Sequence, residues 1–534
     1  MRIAVPEGLV VKRILSVPEW AGAAFESGRN EIVLSPEAPG RGTVAIETAG
    51  GSTLEVRVAA FREREAFLIT ALSCNMHEGW NPSLHDRLPH PECCGPDKRG
   101  HAFPFAVNME RILHGAGLPI TWMIDPPVAR EHLAFFAQGR RRWGDEIAFM
   151  PSSASHFNPV NFNTERSQAE TLDLLRAGVE ALESLFGVRV TTIAIDQFIG
   201  SVGTHFTHAA AALGANALWG VGFEHLTCDT SMFHGGCPWN PYRPRRSNFR
   251  VPGGPADDPL PLWIFQWTFR DIVNTLHVDG PARGSTMFST DVDDILLAQI
   301  DRCEPRYFHN LAGTLLANRR DNDVLVMTIH QEDHDSWHKQ GLDFYARFFN
   351  SLPEGLTPAT MGEVAAWLDL KFPHPAHPAQ VLRLDDPLPR KGGVHFAHPD
   401  TPRPPDWPPD DGAPHPFPPH VCFYNERCLI ICVEGRPAPL LYYDYRRTYD
   451  VPETGVWPQE RLPRLDVRHL DIRAMSTHVI VEYDLNASAG FRQCPVVCWT
   501  NAPPPREAIA VPGGFVIFID LHSGPNHGIW RGSL

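Results

Sequence analysis

Three stretches of this chain attach acid and imidazole side chains to the carboxyl end of an apolar run. Ala66-Phe-Leu-Ile-Thr-Ala-Leu-Ser73 leads into Cys74-Asn-Met-His77-Glu78-Gly-Trp80. Thr192-Ile-Ala-Ile195 leads into Asp196-Gln-Phe-Ile-Gly200, and Val324-Leu-Val-Met-Thr-Ile329 leads into His330-Gln-Glu332-Asp333-His334. Side chains at the carboxyl ends of parallel strands converge on one mouth of an α/β barrel, the face where barrel enzymes keep their chemistry. Imidazoles with a carboxylate are the ligand mix of a hydrolytic divalent-metal centre. His77, Asp196 and His330 are therefore the candidate metal ligands, with Zn²⁺ the expected ion. Such an ion lowers the pKa of bound water toward neutrality and polarises a carbonyl or glycosidic oxygen. The competing reading is a metal-free cleft lined by hydrogen-bonded polar groups.

Glu78, Glu332 and Asp333 are the acid/base candidates. A retaining glycosidase needs two carboxyl groups roughly 5–5.5 Å apart, whereas deacylation needs one base near the activated water. Glu332 follows His330 by two residues, so a continuing strand would turn both toward the same mouth. Alternatively, Glu332-Asp333-His334-Asp335 caps a following helix, where acids are favoured. Phe223-Glu224-His225 ends another apolar run, and a long loop after it carries Trp239, Tyr242 and Arg243. With Trp80, Trp267 and Trp337 these suit a sugar-binding rim, because aromatic faces pack on the apolar faces of pyranose rings. The bland alternative is ordinary core tryptophan.

The elements that would position these residues can be read from pattern. Residues 1–64 read as short alternating strands between Pro/Gly turns, a small immunoglobulin-like β-sandwich. Over 65–371 strands alternate with helices: apolar runs at 66–73, 118–124, 146–150, 188–195, 217–223, 260–267 and 324–329 give seven candidate strands. The clearest helix is Ser167–Phe186, with Leu172, Leu175, Val179, Leu182 and Phe186 on one face and Gly187 placed to end it. Parallel βα units follow, and seven strands without an eighth imply an incomplete (β/α) barrel. Residues 372–419, dense in Pro, His and Asp, read as a linker, and 420–534 as a C-terminal antiparallel β-domain. The fold class is α/β, a seven-stranded barrel flanked by β-domains.

The chain has 534 residues and a formal net charge of −15, which argues against phosphate-backbone binding and hence against a nucleic-acid partner. A neutral or weakly charged substrate fits better. No apolar run reaches the roughly 20 residues that span a bilayer, so no membrane partner is expected. Met1-Arg-Ile-Ala-Val-Pro-Glu7 lacks a signal-peptide pattern, and eleven cysteines are scattered without Cys-x-x-Cys spacing. A reduced, cytoplasmic protein is the expectation.

The 65–371 segment resembles the glycoside hydrolase/deacetylase superfamily. Gly144-Asp-Glu-Ile-Ala-Phe-Met-Pro-Ser-Ser-Ala-Ser-His156 is similar to the Gly-His-Glu-Ile-Gly-Asn-His-x-x-x-His segment of NodB-like polysaccharide deacetylases. Met150 or Pro151 stands where that family has its first metal histidine, and His156 is a shifted second. Leu356–Leu368 is similar to the family's final Thr-Leu-x-Glu-Leu segment, and Val326-Met-Thr-Ile-His330 to its last strand. Ile195-Asp-Gln-Phe-Ile-Gly-Ser201 instead resembles Ile-Asp-Pro-Phe-Gly-His-Ser of family-38 α-mannosidases, where the aspartate is nucleophile and zinc ligand. Asn75-Met-His77-Glu-Gly-Trp80 is similar to their His-Asn-Asp-Pro-Gly-Trp, with the ligand set altered.

The resemblance implies a metal-dependent hydrolase acting on an oligosaccharide or polysaccharide. The leading expectation is removal of an acyl group, with Glu78 or Glu332 as base and His156 or His334 stabilising or protonating what leaves. The alternative is a retaining α-glycosidase with Asp196 as nucleophile. A third reading is a sugar-binding barrel without turnover.

Overall fold

The computed structural model describes residues 2–4, 11–26, 31–74, 103–151, 167–194, 204–221, 241–246, 248–252, 258–266, 305–331, 339–376, 378, 380–384, 420–424, 428–433, 439–444, 464–487, 491–511 and 514–534. The chain divides into Met1–Glu65 and Ala66–Leu534. The first unit has six strands: β1 (Arg2–Ala4), β2 (Val11–Ser16), β3 (Ala21–Glu26), β4 (Glu31–Pro36), β5 (Gly40–Thr48) and β6 (Thr53–Ala60). They form two antiparallel sheets, β1-β4-β3 and β2-β5-β6. Both sheets send residues into one core: Ile32 and Leu34 from β4, Val44 and Ile46 from β5, Val58 from β6. Period-two alternation puts Val44 and Ile46 on the buried face.

The second unit begins with the barrel. Its strands are β7 (Glu65–Cys74), β8 (Thr121–Ile124), β9 (Glu146–Phe149), β10 (Thr192–Ala194), β11 (Ala217–Val221), β14 (Trp263–Gln266) and β15 (Val324–Gln331), a hairpin of β12 (Pro244–Arg245) and β13 (Asn248–Pro252) intervening. They lie in the order β14-β11-β10-β9-β8-β7-β15, a nearly closed parallel barrel of seven strands. The seam falls between β14 and β15. The described helices are α1 (Phe103–Gly115), α2 (Pro126–Glu131), α3 (Leu133–Trp143), α4 (Gln168–Phe186), α5 (Thr204–Ala212), α6 (Arg306–Ala317), α7 (Lys339–Phe349) and α8 (Met361–Lys371).

Alternation sorts each barrel strand into two registers. Leu72, Trp122, Ile147, Phe149, Ile193, Leu218, Ile264, Met327 and Ile329 join the helix-layer core with Met109, Leu113, Phe136, Leu175 and Phe344. The complementary register faces the interior, and includes Ser73, Met123, Ala148, Ala194, Trp219, Phe265, Thr328 and His330, all buried. Helix α4 shows how sequence sets this layer. Ser167 caps it in a capping box with Glu170, and Gly187 ends it in the left-handed region at φ 63°. Leu175, Gly178, Val179 and Leu182 form its buried stripe. Gly178 is bare because a Cβ there would run into the Phe149 ring.

The amino end of the barrel is closed by α8. A two-residue strand before it, β16 (Thr357–Pro358), pairs parallel with the start of β7, Thr357 opposite Phe67. Thr360 caps α8 in a second capping box with Glu363. The Met361 amide donates to Thr121 Oγ1 at 3.0 Å, and the Gly362 amide to Glu146 Oε2 at 3.0 Å. Glu146 also accepts from Thr121 Oγ1 at 3.0 Å and Thr192 Oγ1 at 2.5 Å. Thr121, Glu146 and Thr192 are the first residues of β8, β9 and β10. At the other end of α8, Asp369 Oδ1 accepts from Trp263 Nε1 at 2.9 Å, and Trp263 is the first residue of β14. Eleven residues at about 1.5 Å each give the helix roughly the reach this strapping needs.

Beyond the barrel, β17 (Gln380–Leu384), β18 (His420–Tyr424), β19 (Cys428–Val433), β20 (Pro439–Asp444), β21 (Arg464–Ala474), β22 (His478–Ala487) and β26 (Gly524–Ser533) form an antiparallel sheet in that order. β23 (Phe491–Trp499), β25 (Gly514–Leu521) and β24 (Ile509–Val511) form another. Val479, Val481 and Leu485 of β22 share a core with Val496, Phe515 and Ile517 of the second sheet. β17 falls inside the 372–419 stretch expected as linker. Its Gln-Val-Leu-Arg-Leu run pairs with β18, a strand signal outweighed in the sequence by the surrounding prolines.

Candidate active site

The residues expected from the sequence to form the site follow the carboxyl ends of the barrel strands, opposite α8. Among the residues expected there, His330 is described. It is the seventh residue of β15, fully buried, in the register shared by Val326 and Thr328. Its imidazole meets the indole of Trp219, with ring centroids 4.7 Å apart and planes inclined by 46°. β10, β9, β8 and β7 separate β11 from β15 around the sheet, so this contact crosses the interior. The histidine thus points into the barrel.

A β-bulge sits at this contact. Trp219 pairs with Phe265 and Val221 with Gln266, leaving Gly220 as the additional residue on β11. Bulges of this kind re-aim side chains and concentrate near active sites. Asp125 directly follows β8 on the same side of the barrel. It is 1 % exposed, and its Oδ1 accepts the Val128 amide at 3.0 Å as the cap of α2, behind which Pro126 and Pro127 open the helix. Trp219 and Asp125 were not anticipated. Both had a signal: Asp-Pro-Pro directly after Thr-Trp-Met-Ile, and a tryptophan in the middle of an apolar run followed by glycine.

Tyr242 and Arg243 depart from expectation. Instead of standing on a displayed loop, Tyr242 is fully buried in the helix-layer core, bridged to Ile264. Arg243, 2 % exposed, lays its guanidinium over the Trp263 ring at 4.1 Å. Its Nη1 donates to the Phe372 carbonyl at 2.7 Å and to the Ala376 carbonyl, and its Nη2 to Asp369 at 2.6 Å. Burial lowers its pKa while Asp369 works against that shift. The planar fork takes the Phe372 carbonyl at the end of α8 together with the Ala376 carbonyl beyond it, so the arginine secures the end of α8 and the start of β14. The sequence places it beside Trp239 in one loop, but the chain turns into the β12–β13 hairpin directly after it.

His77, Glu78, Trp80, His156, Asp196, Glu224, His225, Trp239, Trp267, Glu332, Asp333, His334 and Trp337 lie outside the described residues. Among the described residues no three His, Cys, Asp or Glu side chains gather as a metal cluster. The one expected ligand that is described, His330, fits the part chemically, an imidazole enclosed in the barrel rather than spread in solvent. No described helix is long and apolar enough to cross a membrane.

No family model matches the chain, and neither does any curated protein. Its structural neighbours include structures described as polysaccharide deacetylases and as a glycoside hydrolase/deacetylase, and also an allantoinase and a deacetylase-family pseudoenzyme. A structure described as a glycoside hydrolase/deacetylase from Parabacteroides distasonis is 12% identical, with a TM-score of 0.48 over 73% of this chain and 88% of that one. One described as a polysaccharide deacetylase from Mycobacterium smegmatis is 14% identical, with a TM-score of 0.35 over 59% of this chain and 93% of that one. A 4-alpha-glucanotransferase from Thermococcus litoralis is 10% identical, with a TM-score of 0.34 over 88% and 99% respectively.

Proposed function

We propose that the barrel is a metal-dependent hydrolase that removes an acyl group from a carbohydrate. The observation that carries this reading is His330, an imidazole at the carboxyl end of the seventh strand, directed into the barrel. In the sequence, Asp196 follows Ala194 by two residues, the spacing that continues an inward register along a strand. His77, Asp196 and His330 would hold the ion, which when bound supplies an activated water and a Lewis acid for the scissile group. Glu78 or Glu332 takes the proton of the attacking water, and His156 or His334 delivers one to the leaving group. Trp80, Trp239, Trp267 and Trp337, with Glu224 and His225, form the sugar-binding rim.

The test is a screen of acetylated and α-linked oligosaccharides with and without a chelator. Expected is acetate release that stops on chelation and in His330→Ala. Release of sugar without acetate, with a covalent adduct on Asp196, would replace this reading by a retaining α-glycosidase. Sugar binding without any product, unaffected by chelation, would leave a binding barrel and remove the catalytic claim.

A further inference from the structure

We infer that Trp219 is the positioning residue for His330, a role that rests on His330 being the metal ligand proposed above. Three features of the molecule converge on it. Both rings are fully buried, with their centroids 4.7 Å apart. They come from strands that are not neighbours in the sheet, so neither backbone pairing nor local sequence brings them together. The bulge at Gly220 lies directly beyond Trp219 and shifts the register of β11 against β14 at that level.

An imidazole on a strand has two soft side-chain torsions, and a metal ligand must have both fixed before the ion arrives. Histidine ligands are commonly held by a hydrogen bond from outside. A large ring in the interior can restrict the same torsions by contact. The planes are inclined by 46°, so the two rings are tilted against each other rather than stacked face to face. Trp219 therefore limits the tilt of the ring. A smaller apolar residue would keep the barrel dry yet let the imidazole rotate.

The experiment compares Zn²⁺ dissociation constants, by chelator competition, for the full-length protein and its His330→Ala, Trp219→Leu and Trp219→Phe variants. The imidazole ring signals of His330 are followed by NMR in the metal-free proteins. His330→Ala should lose tight Zn²⁺ binding. Trp219→Leu should bind about 10-fold or more weakly, in the range seen when supporting groups around a metal are removed, with His330 signals moved and broadened. Trp219→Phe, which retains a ring, should recover most of the affinity. Unchanged Zn²⁺ binding in His330→Ala would overturn the proposed function itself. Loss in His330→Ala with wild-type binding in Trp219→Leu would overturn only the role of Trp219. If Trp219→Leu does not fold, Trp219→Met takes its place under the same expectation: Zn²⁺ binding weakened about 10-fold with moved His330 signals supports the inference, and wild-type affinity with unmoved signals ends it.

Discussion

Arg243 shows how far one residue's chemistry depends on where the chain puts it. Its guanidinium serves Asp369, two carbonyls and the Trp263 face together, a set that lysine's single ammonium cannot reproduce. Arg243→Lys is expected to cost about 1.5–3 kcal/mol in urea unfolding, with unchanged turnover in the folded protein. A raised KM at unaltered stability would instead return Arg243 to the substrate rim. Gly178 makes a simpler demand. Gly178→Ala drives a methyl into the Phe149 ring and should lower stability by about 1–3 kcal/mol through overpacking, whereas helix propensity alone would raise it. A melting temperature at or above wild type would contradict the packing at that contact. Sequence alone could place His330 at a strand end, because the strand and the histidine are contiguous. It could not show that Trp219 meets His330, since their partnership exists only once the sheet has curled.

At the scale of elements, α4 was legible in its stripe and terminating glycine, which are local signals, while Ser167 proves to cap the helix rather than begin it. The part α8 plays was not. Its Thr360/Glu363 capping box announces a helix, but its anchors Thr121, Glu146, Thr192, Arg243 and Trp263 are remote in the chain. Glu146 gives this strap a titration signature. Desolvation, the largest influence, raises its pKa above the usual glutamate value, against hydrogen bonds from Thr192, Gly362 and Thr121 that lower it. The folded chain therefore keeps the Glu146 proton to higher pH than the unfolded chain does. Its contribution is complete below the unfolded pKa and is lost as pH rises through the folded one. Urea unfolding across mildly acidic to neutral pH should thus show wild type losing stability with rising pH relative to Glu146→Gln. Parallel profiles for the two proteins would remove Glu146 as the source.

For the molecule as a whole, the alternation of strand and helix was enough to fix seven parallel strands, because each βα unit carries its own period and breaks. Among the described residues the barrel has no eighth full strand, as the sequence pattern expects. The seam between β14 and β15 and the helix strapped across the barrel's amino end were not legible, being properties of closure rather than of any segment. The central claim is that distant residues meet around one cation at the carboxyl end of this barrel. Its most direct test is the divalent-ion content of exhaustively dialysed wild type beside His77→Ala, Asp196→Asn and His330→Ala, with circular dichroism confirming that each variant is folded. Wild type should retain a bound ion and each folded variant should lose most of it. A wild type that retains none when supplied with Zn²⁺, or a folded variant with wild-type content, would contradict the shared site.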